Sequence, residues 1–367
     1  MDTRAEEGMR PASFMAGRFL PRPEHHYQDR HEAGMPTRDR GVGTRSSQLG
    51  AHDSAPLTKP ATTITTEVRD AQTEDPVAWA CVMALTLQNA RDRQCAAYSG
   101  QDGKVSIRVP ANTYTLLVTP HYSDTTHGIQ WVGHDGGTGS QYLARKITTS
   151  PGRATAIPPI ELDGWGSISG VIRDAATGSP VTACAEFLPL TYGGGCTNAE
   201  GRFALNHLGP YRWPVHFRGI NTASGYAWQW SGDVPNRMIA KSYKVAAGET
   251  ATISDVKLNP AGGVLTGNIL DLNGQPYPGG RGITVEAVNA ITGDLAAPPA
   301  AGLTYKVQGL ASQFVKLRTS FWATNQTIDL WYPATASFAD ARPVRVLGGQ
   351  IRELDLKVGS ESHPRDK

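Results

Sequence analysis

The segment Gly170-Val-Ile-Arg-Asp-Ala-Ala-Thr-Gly-Ser-Pro-Val181 decides the fold, because it describes a strand that enters a tight turn and it recurs along the chain. A similar segment precedes it, Thr66-Glu-Val-Arg-Asp-Ala-Gln-Thr-Glu-Asp-Pro-Val77, and a looser one follows it, Gly267-Asn-Ile-Leu-Asp-Leu-Asn-Gly-Gln-Pro276, at a spacing of about 100 residues. Asp begins each turn, since its carboxylate can accept hydrogen bonds from the backbone amides just ahead. Three copies of one unit indicate a repeat architecture.

Later features keep the same order in each copy. A strand containing Trp follows the turn, and a Gly turn with an alternating strand ends the copy. Apolar residues at every second position indicate strands that lie on a core. Short strands, frequent turns and no helical periodicity predict an all-β protein with three tandem Greek-key, immunoglobulin-like or transthyretin-like β-sandwiches. The repeated Trp dipeptides are Gln130-Trp131, Gln229-Trp230 and Leu330-Trp331.

The second copy resembles the carboxypeptidase regulatory-like domain. The resemblance lies in the segments Gly166–Val181, Thr197–Leu205 and Leu208–Tyr211 and, in the third copy, in Trp331–Ala334 and Ala341–Val346. It covers about residues 60 to 358 and is typical of tandem copies in secreted actinobacterial proteins. It implies a transthyretin-like sandwich, a fold also grouped with starch-binding-like domains. These motifs specify turns and strands, so they indicate the fold better than the function.

The repeat boundaries divide the chain into five parts. We predict a disordered arm at 1–59, because it is rich in charged residues, Gly and Pro and poor in aliphatic pairs. Sandwiches follow at 60–163, 164–259 and 260–358, and a disordered tail at 359–367. No signal peptide is visible in the arm. A net charge of +2 and the lack of a long apolar run argue against nucleic-acid binding and membrane insertion.

The four cysteines form two pairs at matching repeat positions. Cys81 and Cys95 lie in the first copy, and Cys184 and Cys196 in the second. The spacing does not fit a zinc site, which leaves one disulfide per copy or four buried thiols. Matching positions favour disulfides, and disulfides indicate an extracellular or cell-surface location.

Motifs for catalysis or for cofactor binding are not recognisable. The segment Gly166 to Gly170 has the ends of a serine-hydrolase elbow, but Ile168 stands where the nucleophile belongs. No pair of acids is singled out for glycoside cleavage. His121, His127 and His134 lie on one loop near two Asp residues, and loop histidines with irregular spacing are more often solvated than metal-bound. We therefore expect a non-enzyme without cofactor or metal.

Aromatic residues are the remaining candidates for binding. Tyr226, Trp228 and Trp230 share one face of a strand, so they form either a platform for sugar rings or part of the core. Gln229 and Asp233 could add hydrogen bonds at the rim of such a platform.

Three functions fit these observations. The first is a secreted or surface-exposed, non-catalytic binding or spacer protein whose partner is a polysaccharide or a cell-surface protein. The second is the accessory carbohydrate-binding part of an extracellular polysaccharide hydrolase of the α-amylase type, without the catalytic barrel of about 250 residues. The third is a structural stalk.

Overall fold

The protein is built from β-strands. The computed structural model describes residues 61–87, 94–188, 194–220, 225–278, 282–323 and 326–359, and the described part contains one helical element, the 3-10 turn Gln141–Leu143. In this part no helix is long and apolar enough to cross a membrane. The predicted arm at 1–59 and all but Gly359 of the predicted tail lie outside the described residues.

The strands fall into three sets of sheets, which we call module 1 (61–162), module 2 (166–258) and module 3 (263–358). Module 1 contains β1 Ala61–Asp70, β2 Cys81–Leu85, β3 Ala97–Tyr98, β4 Lys104–Pro110, β5 Thr113–Thr119, β6 Gln130–Val132, β7 Gly137–Thr138, β8 Ile147–Thr148, β9 Ala154–Ala156 and β10 Ile160–Leu162. Module 2 contains β11 Gly166–Asp174, β12 Ala183–Glu186, β13 Gly195–Cys196, β14 Arg202–Leu208, β15 Arg212–Pro214, β16 His216–Gly219, β17 Gln229–Trp230, β18 Ser242–Lys244 and β19 Thr250–Leu258. Module 3 contains β20 Gly263–Leu270, β21 Thr284–Asn289, β22 Ala300–Ala301, β23 Thr304–Leu310, β24 Gln313–Ala323, β25 Gln326–Trp331, β26 Val344–Val346, β27 Ile351–Glu353 and β28 Leu356–Lys357.

Each module repeats one topology. In the first sheet the leading strand is central: β1, β11 and β20 each pair antiparallel with the strand that follows the hairpin (β4, β14, β23) and parallel with the strands that end the module. The second sheet contains the order β2-β5-β6, β12-β16-β17 and β21-β24-β25. The all-β prediction is therefore confirmed.

Alternation along the strands creates the cores. In β4, for example, Val105, Ile107 and Val109 are buried and the residues between them are exposed. Modules 1 and 3 each have a core cluster drawn from their own residues. The cluster of module 2 also includes Leu117 and Trp131 of module 1, so apolar packing continues from one module to the next.

The Asp residues of the repeated turns act as the sequence predicts. In all three modules one carboxylate oxygen accepts hydrogen bonds from two backbone amides just ahead, at 2.7 to 2.9 Å. Gly178 and Gly274 have φ values of 72° and 81°, the left-handed conformation that closes such a turn. The Asp residues are Asp70, Asp174 and Asp271.

Candidate functional site: the joints between modules

The outer face of each second sheet presents the same row of three side chains across neighbouring strands. The row ends on the repeated Trp, and its other two positions differ between modules. In modules 1 and 2 five of the six side chains are buried and Met83 is partly buried, whereas Trp331 of module 3 remains partly exposed. The rows are Met83, Leu117 and Trp131 in module 1, Glu186, His216 and Trp230 in module 2, and Glu286, Arg318 and Trp331 in module 3.

Backbone hydrogen bonds join module 1 to module 2 beside this row. The Ile129 N–H donates to the His207 carbonyl at 2.7 Å, and the Gly209 N–H donates to the Ile129 carbonyl at 2.8 Å. The Gly128 N–H donates to the carbonyl of Asp163, between the modules, at 2.8 Å. The segment before the Trp strand thus pairs, in parallel, with the end of β14.

Modules 2 and 3 meet through an equivalent set of bonds. The Trp228 N–H donates to the Gly309 carbonyl at 2.9 Å, and the Ala227 N–H donates to the Asn259 carbonyl at 2.9 Å. Trp228 also forms a parallel bridge with Leu310, at the end of β23. The repeat therefore includes the joint as well as the sandwich.

A β-bulge prepares the receiving strand at both joints. The register of β11 against β14 shifts near Gly166, and that of β20 against β23 shifts near Gly263. The residue that offers its carbonyl has a positive φ in both places, 59° at His207 and 84° at Gly309. A bulge leaves one residue unpaired within its own sheet and redirects it, which frees this carbonyl for the preceding module. In module 1 the corresponding β1–β4 pairing is regular up to Pro110.

The three aromatic residues proposed as a sugar platform lie in the second joint, which corrects that hypothesis. Trp228 is 4% exposed and Trp230 is 2% exposed, and both rings contact the His216 ring at centroid distances of 5.5 and 5.1 Å. Tyr226 is partly buried, and its hydroxyl donates to Asp174 Oδ2 at 2.6 Å. Burial and this hydrogen bond raise the pKa of Tyr226 to about 12. Buried rings cannot stack on a polysaccharide.

The polar side chains beside these rings form hydrogen bonds within the protein. The Gln229 side-chain amide donates to Asp233 Oδ1 at 2.7 Å and to the Lys257 carbonyl at 3.0 Å. In module 1 the Gln130 amide donates to the Glu161 carbonyl at 2.7 Å. A Gln before Trp in both copies is the sequence signal that could have identified this structural role.

A charged cluster lies within the second joint. Arg218 Nε donates to Glu186 Oε1 at 2.8 Å, and His216 Nδ1 lies 3.6 Å from the other oxygen. Burial acts to raise the pKa of Glu186, but His216 and Arg218 outweigh it and hold this pKa below its ordinary value. Glu186 and His216 are almost fully buried, and the His216 ring packs against Trp228 and Trp230.

His127 is bracketed by two carboxylates beside the first joint. Its Nδ1 lies 2.7 Å from Asp124 Oδ2, and its Nε2 lies 2.9 Å from Asp70 Oδ2. Hydrogen bonds from the Thr73 and Gln72 amides, together with His127, lower the pKa of Asp70 to about 2. Among the described residues no three His, Cys, Asp or Glu side chains are grouped to hold a metal ion. The loop histidines are thus not brought together.

Arg237 contacts all three modules through a buried ion pair and a ring contact, which sequence reasoning did not identify. Arg237 of module 2 places its Nε 2.9 Å from Asp294 Oδ2 of module 3, and Asp294 is 1% exposed. The Arg237 guanidinium also lies over the Tyr142 ring of module 1, 5.2 Å from its centroid. The partners are far apart in sequence, and no repeated motif marks them.

The cysteines are joined in the pairs that the repeat indicates. Cys81 is bonded to Cys95 and Cys184 to Cys196, with Cα atoms 5.4 and 3.9 Å apart, and no described cysteine is free. In module 2 the bond links directly paired residues of β12 and β13.

Comparisons with known proteins give remote likenesses. No family model and no curated protein matches the chain. Among solved structures, the Bacillus anthracis TIE protein is 10% identical (TM-score 0.21), over 82% of this chain and 51% of that protein, so the chain spans about half of its length. GBS52, the minor pilin of Streptococcus agalactiae, is 13% identical (TM-score 0.23), over 55% of this chain and 96% of the pilin. Shaft pilin SpaA of Lactobacillus rhamnosus GG is 11% identical (TM-score 0.19), over 56% and 99%. At these scores the likenesses carry no argument about function.

Proposed function

We propose that the protein is a non-catalytic, extracellular or cell-surface spacer that holds three transthyretin-like sandwiches of the carboxypeptidase regulatory-like type in fixed relative positions. The observation that supports this role best is the repeated joint. Trp228 N–H to Gly309 carbonyl and Ile129 N–H to His207 carbonyl are the same bond in two places. A flexible string of independent binding modules would not need such a bond.

The side chains at the joints support the same role. Leu117 and Trp131 would expose an apolar face if module 1 moved away from module 2. At the second joint, separation would leave the buried Asp294 carboxylate without Arg237. Both features favour a constant orientation over a free hinge.

The spacer role is tested by measuring distances between spin labels placed on exposed positions of modules 1 and 3. We expect one narrow distance distribution. A broad distribution in the intact protein would contradict the spacer role.

Glycan binding and the accessory-hydrolase role stay as competing proposals, now without the three aromatic side chains first assigned to them. A polysaccharide pull-down and hydrolysis assays on starch, peptides and esters distinguish them from the spacer role. We expect that the polysaccharide does not retain the protein and that the protein hydrolyses none of these substrates. Binding that survives Trp228→Phe would identify a glycan surface elsewhere.

The extracellular location is tested by the thiol state. Mass spectrometry of the protein from its native compartment should show Cys81 linked to Cys95 and Cys184 linked to Cys196. Free thiols in that sample would contradict export to an oxidising environment.

A further inference from the structure

Within the described part of the chain, strand β25 of module 3 is an unpaired sheet edge. It pairs with β24 on one side. On its other side the described residues make no backbone hydrogen bond to Gln326–Leu330, and only Trp331, at its end, bonds to Thr335. An unpaired edge presents a row of backbone donors and acceptors to any other strand.

This edge lacks the devices that protect the other long edges. Proteins discourage edge pairing with Lys, Pro, bulges or very short strands. The other edge strands of six or more residues in the described part, β4, β14, β19 and β23, each contain Lys or Arg. β25 has the sequence Gln-Thr-Ile-Asp-Leu-Trp and contains neither. Its one charged residue, Asp329, accepts a hydrogen bond from Ser320 Oγ at 2.5 Å and lies 3.8 Å from Arg318 Nη1.

The equivalent edges in modules 1 and 2 are covered. The segments that lead into β6 and β17 pair with the following module, as described for Ile129 and Trp228. In module 3 the same edge ends in an exposed region. Trp322 of β24 is 62% exposed, and Thr327 of β25, which lies opposite it, is exposed as well.

We propose that β25 is an interaction surface for a second copy of this chain, through antiparallel pairing of the two β25 strands about a two-fold axis. An unpaired edge is completed by another strand that has free backbone donors and acceptors and no side chain that obstructs pairing. Among the described edge strands of six or more residues, β25 is the one without Lys or Arg, and its Asp329 is held by Ser320 and Arg318 of its own sheet. A copy of this strand is therefore the complement that the structure itself provides.

The side chains suit a two-fold pairing. An axis at Ile328 places this residue opposite its own copy and Thr327 opposite Asp329 of the partner subunit. A hydroxyl then faces a carboxylate, and no like charges stand directly opposite each other. The two-fold contact closes at the dimer, whereas a contact between different surfaces would continue into longer assemblies. The inference goes beyond the spacer role and does not depend on it.

Sedimentation velocity of the full chain over a range of concentrations tests the proposal. We expect a monomer–dimer equilibrium in the wild type. Thr327→Asp should raise the dimer dissociation constant at least about tenfold, because the new carboxylate would face Asp329 of the partner subunit, and high salt should restore part of the affinity. At concentrations where both proteins are monomeric, the free energy of unfolding should change by no more than about 1 kcal/mol, since Thr327 is exposed.

The matched control is Thr252→Asp, at an exposed Thr on the edge strand β19, where dimerisation should equal that of the wild type. A wild type that stays monomeric at every soluble concentration would overturn the proposal. So would dimers that Thr327→Asp leaves intact, or open-ended oligomers in place of dimers.

Discussion

Trp228 shows how one side chain separates the two hypotheses for the aromatic strand. Its indole is 4% exposed, contacts the His216 ring and lies beside Gly309 of module 3. A ring in this position stabilises the fold and is inaccessible to a glycan.

Trp228→Ala should therefore lower the free energy of unfolding by about 3–5 kcal/mol, as for other buried aromatic residues. Urea denaturation measures the change. The control is Tyr122→Ala, at a ring that is 94% exposed, with an expected change within about 0.5 kcal/mol. A loss below about 1 kcal/mol at Trp228 would mean that the ring is not packed as described.

The low pKa of Asp70 predicts that the stability of the protein depends on pH. Its pKa is about 2 in the folded protein, against an ordinary value of 3.8, so the folded state holds this carboxyl ionised. The resulting stabilisation is present above the unfolded pKa and is lost as the pH falls from about 4 to about 2.

Asp70→Asn keeps an acceptor for the turn but removes the negative charge beside His127. The stability difference between wild type and this variant should be full at about pH 6 and close to zero at about pH 2, as measured by urea unfolding. Asp135→Asn, at an exposed position, serves as the control. A difference for Asp70→Asn that stays constant down to about pH 2 would contradict this assignment.

At the scale of the element, the bulge at the end of β23 is the feature that makes the second joint. Gly309 has a φ of 84°, and a Cβ added there would lie 2.7 Å from the Tyr226 carbonyl oxygen. Gly274 has a similar φ of 81°, but a Cβ there would meet nothing within 4 Å. Substitutions at the two glycines therefore distinguish the effect of backbone strain from the effect of the close approach between modules 2 and 3.

Gly274→Ala should cost about 1 kcal/mol from strain alone. Gly309→Ala should lower the free energy of unfolding clearly more than Gly274→Ala does, because modules 2 and 3 must also move apart. Hydrogen exchange at the Trp228 amide, which donates to Gly309, should accelerate in Gly309→Ala and not in Gly274→Ala. Equal exchange in both variants would show that the bulge does not hold the joint.

At the scale of the whole molecule, Arg237 connects the modules. Its guanidinium contacts Asp294 of module 3 and the ring of Tyr142 of module 1. Removing one member of a buried ion pair leaves the other charge uncompensated, whereas replacing both members is often tolerated.

Arg237→Met should lower the free energy of unfolding by about 3–5 kcal/mol, and the double variant Arg237→Met/Asp294→Leu should recover most of this loss. A double-mutant cycle by urea denaturation measures the coupling. Additive effects of the two substitutions would refute a direct contribution of the pair.

The three-domain division at 60–163, 164–259 and 260–358 stays a prediction at this scale. Expression of each segment alone, with circular dichroism as the readout, tests it. Modules 1 and 2 share apolar packing, so the isolated module 1 should fold but associate through its exposed face.

The sequence by itself determined the repeat, the all-β class, the Asp turns and the pairing of the cysteines. These features depend on local chemistry: a carboxylate reaches amides two to four residues ahead, and period-two alternation shows which residues share a face. Only the tertiary structure decided what covers that face. The pattern Tyr226, Trp228 and Trp230 is identical for a surface platform, a sandwich core and a joint, because alternation contains no information about the neighbouring surface. The bulges at His207 and Gly309 and the contact of Arg237 with Asp294 depend on groups far apart in sequence, so they appeared only when the modules were packed together.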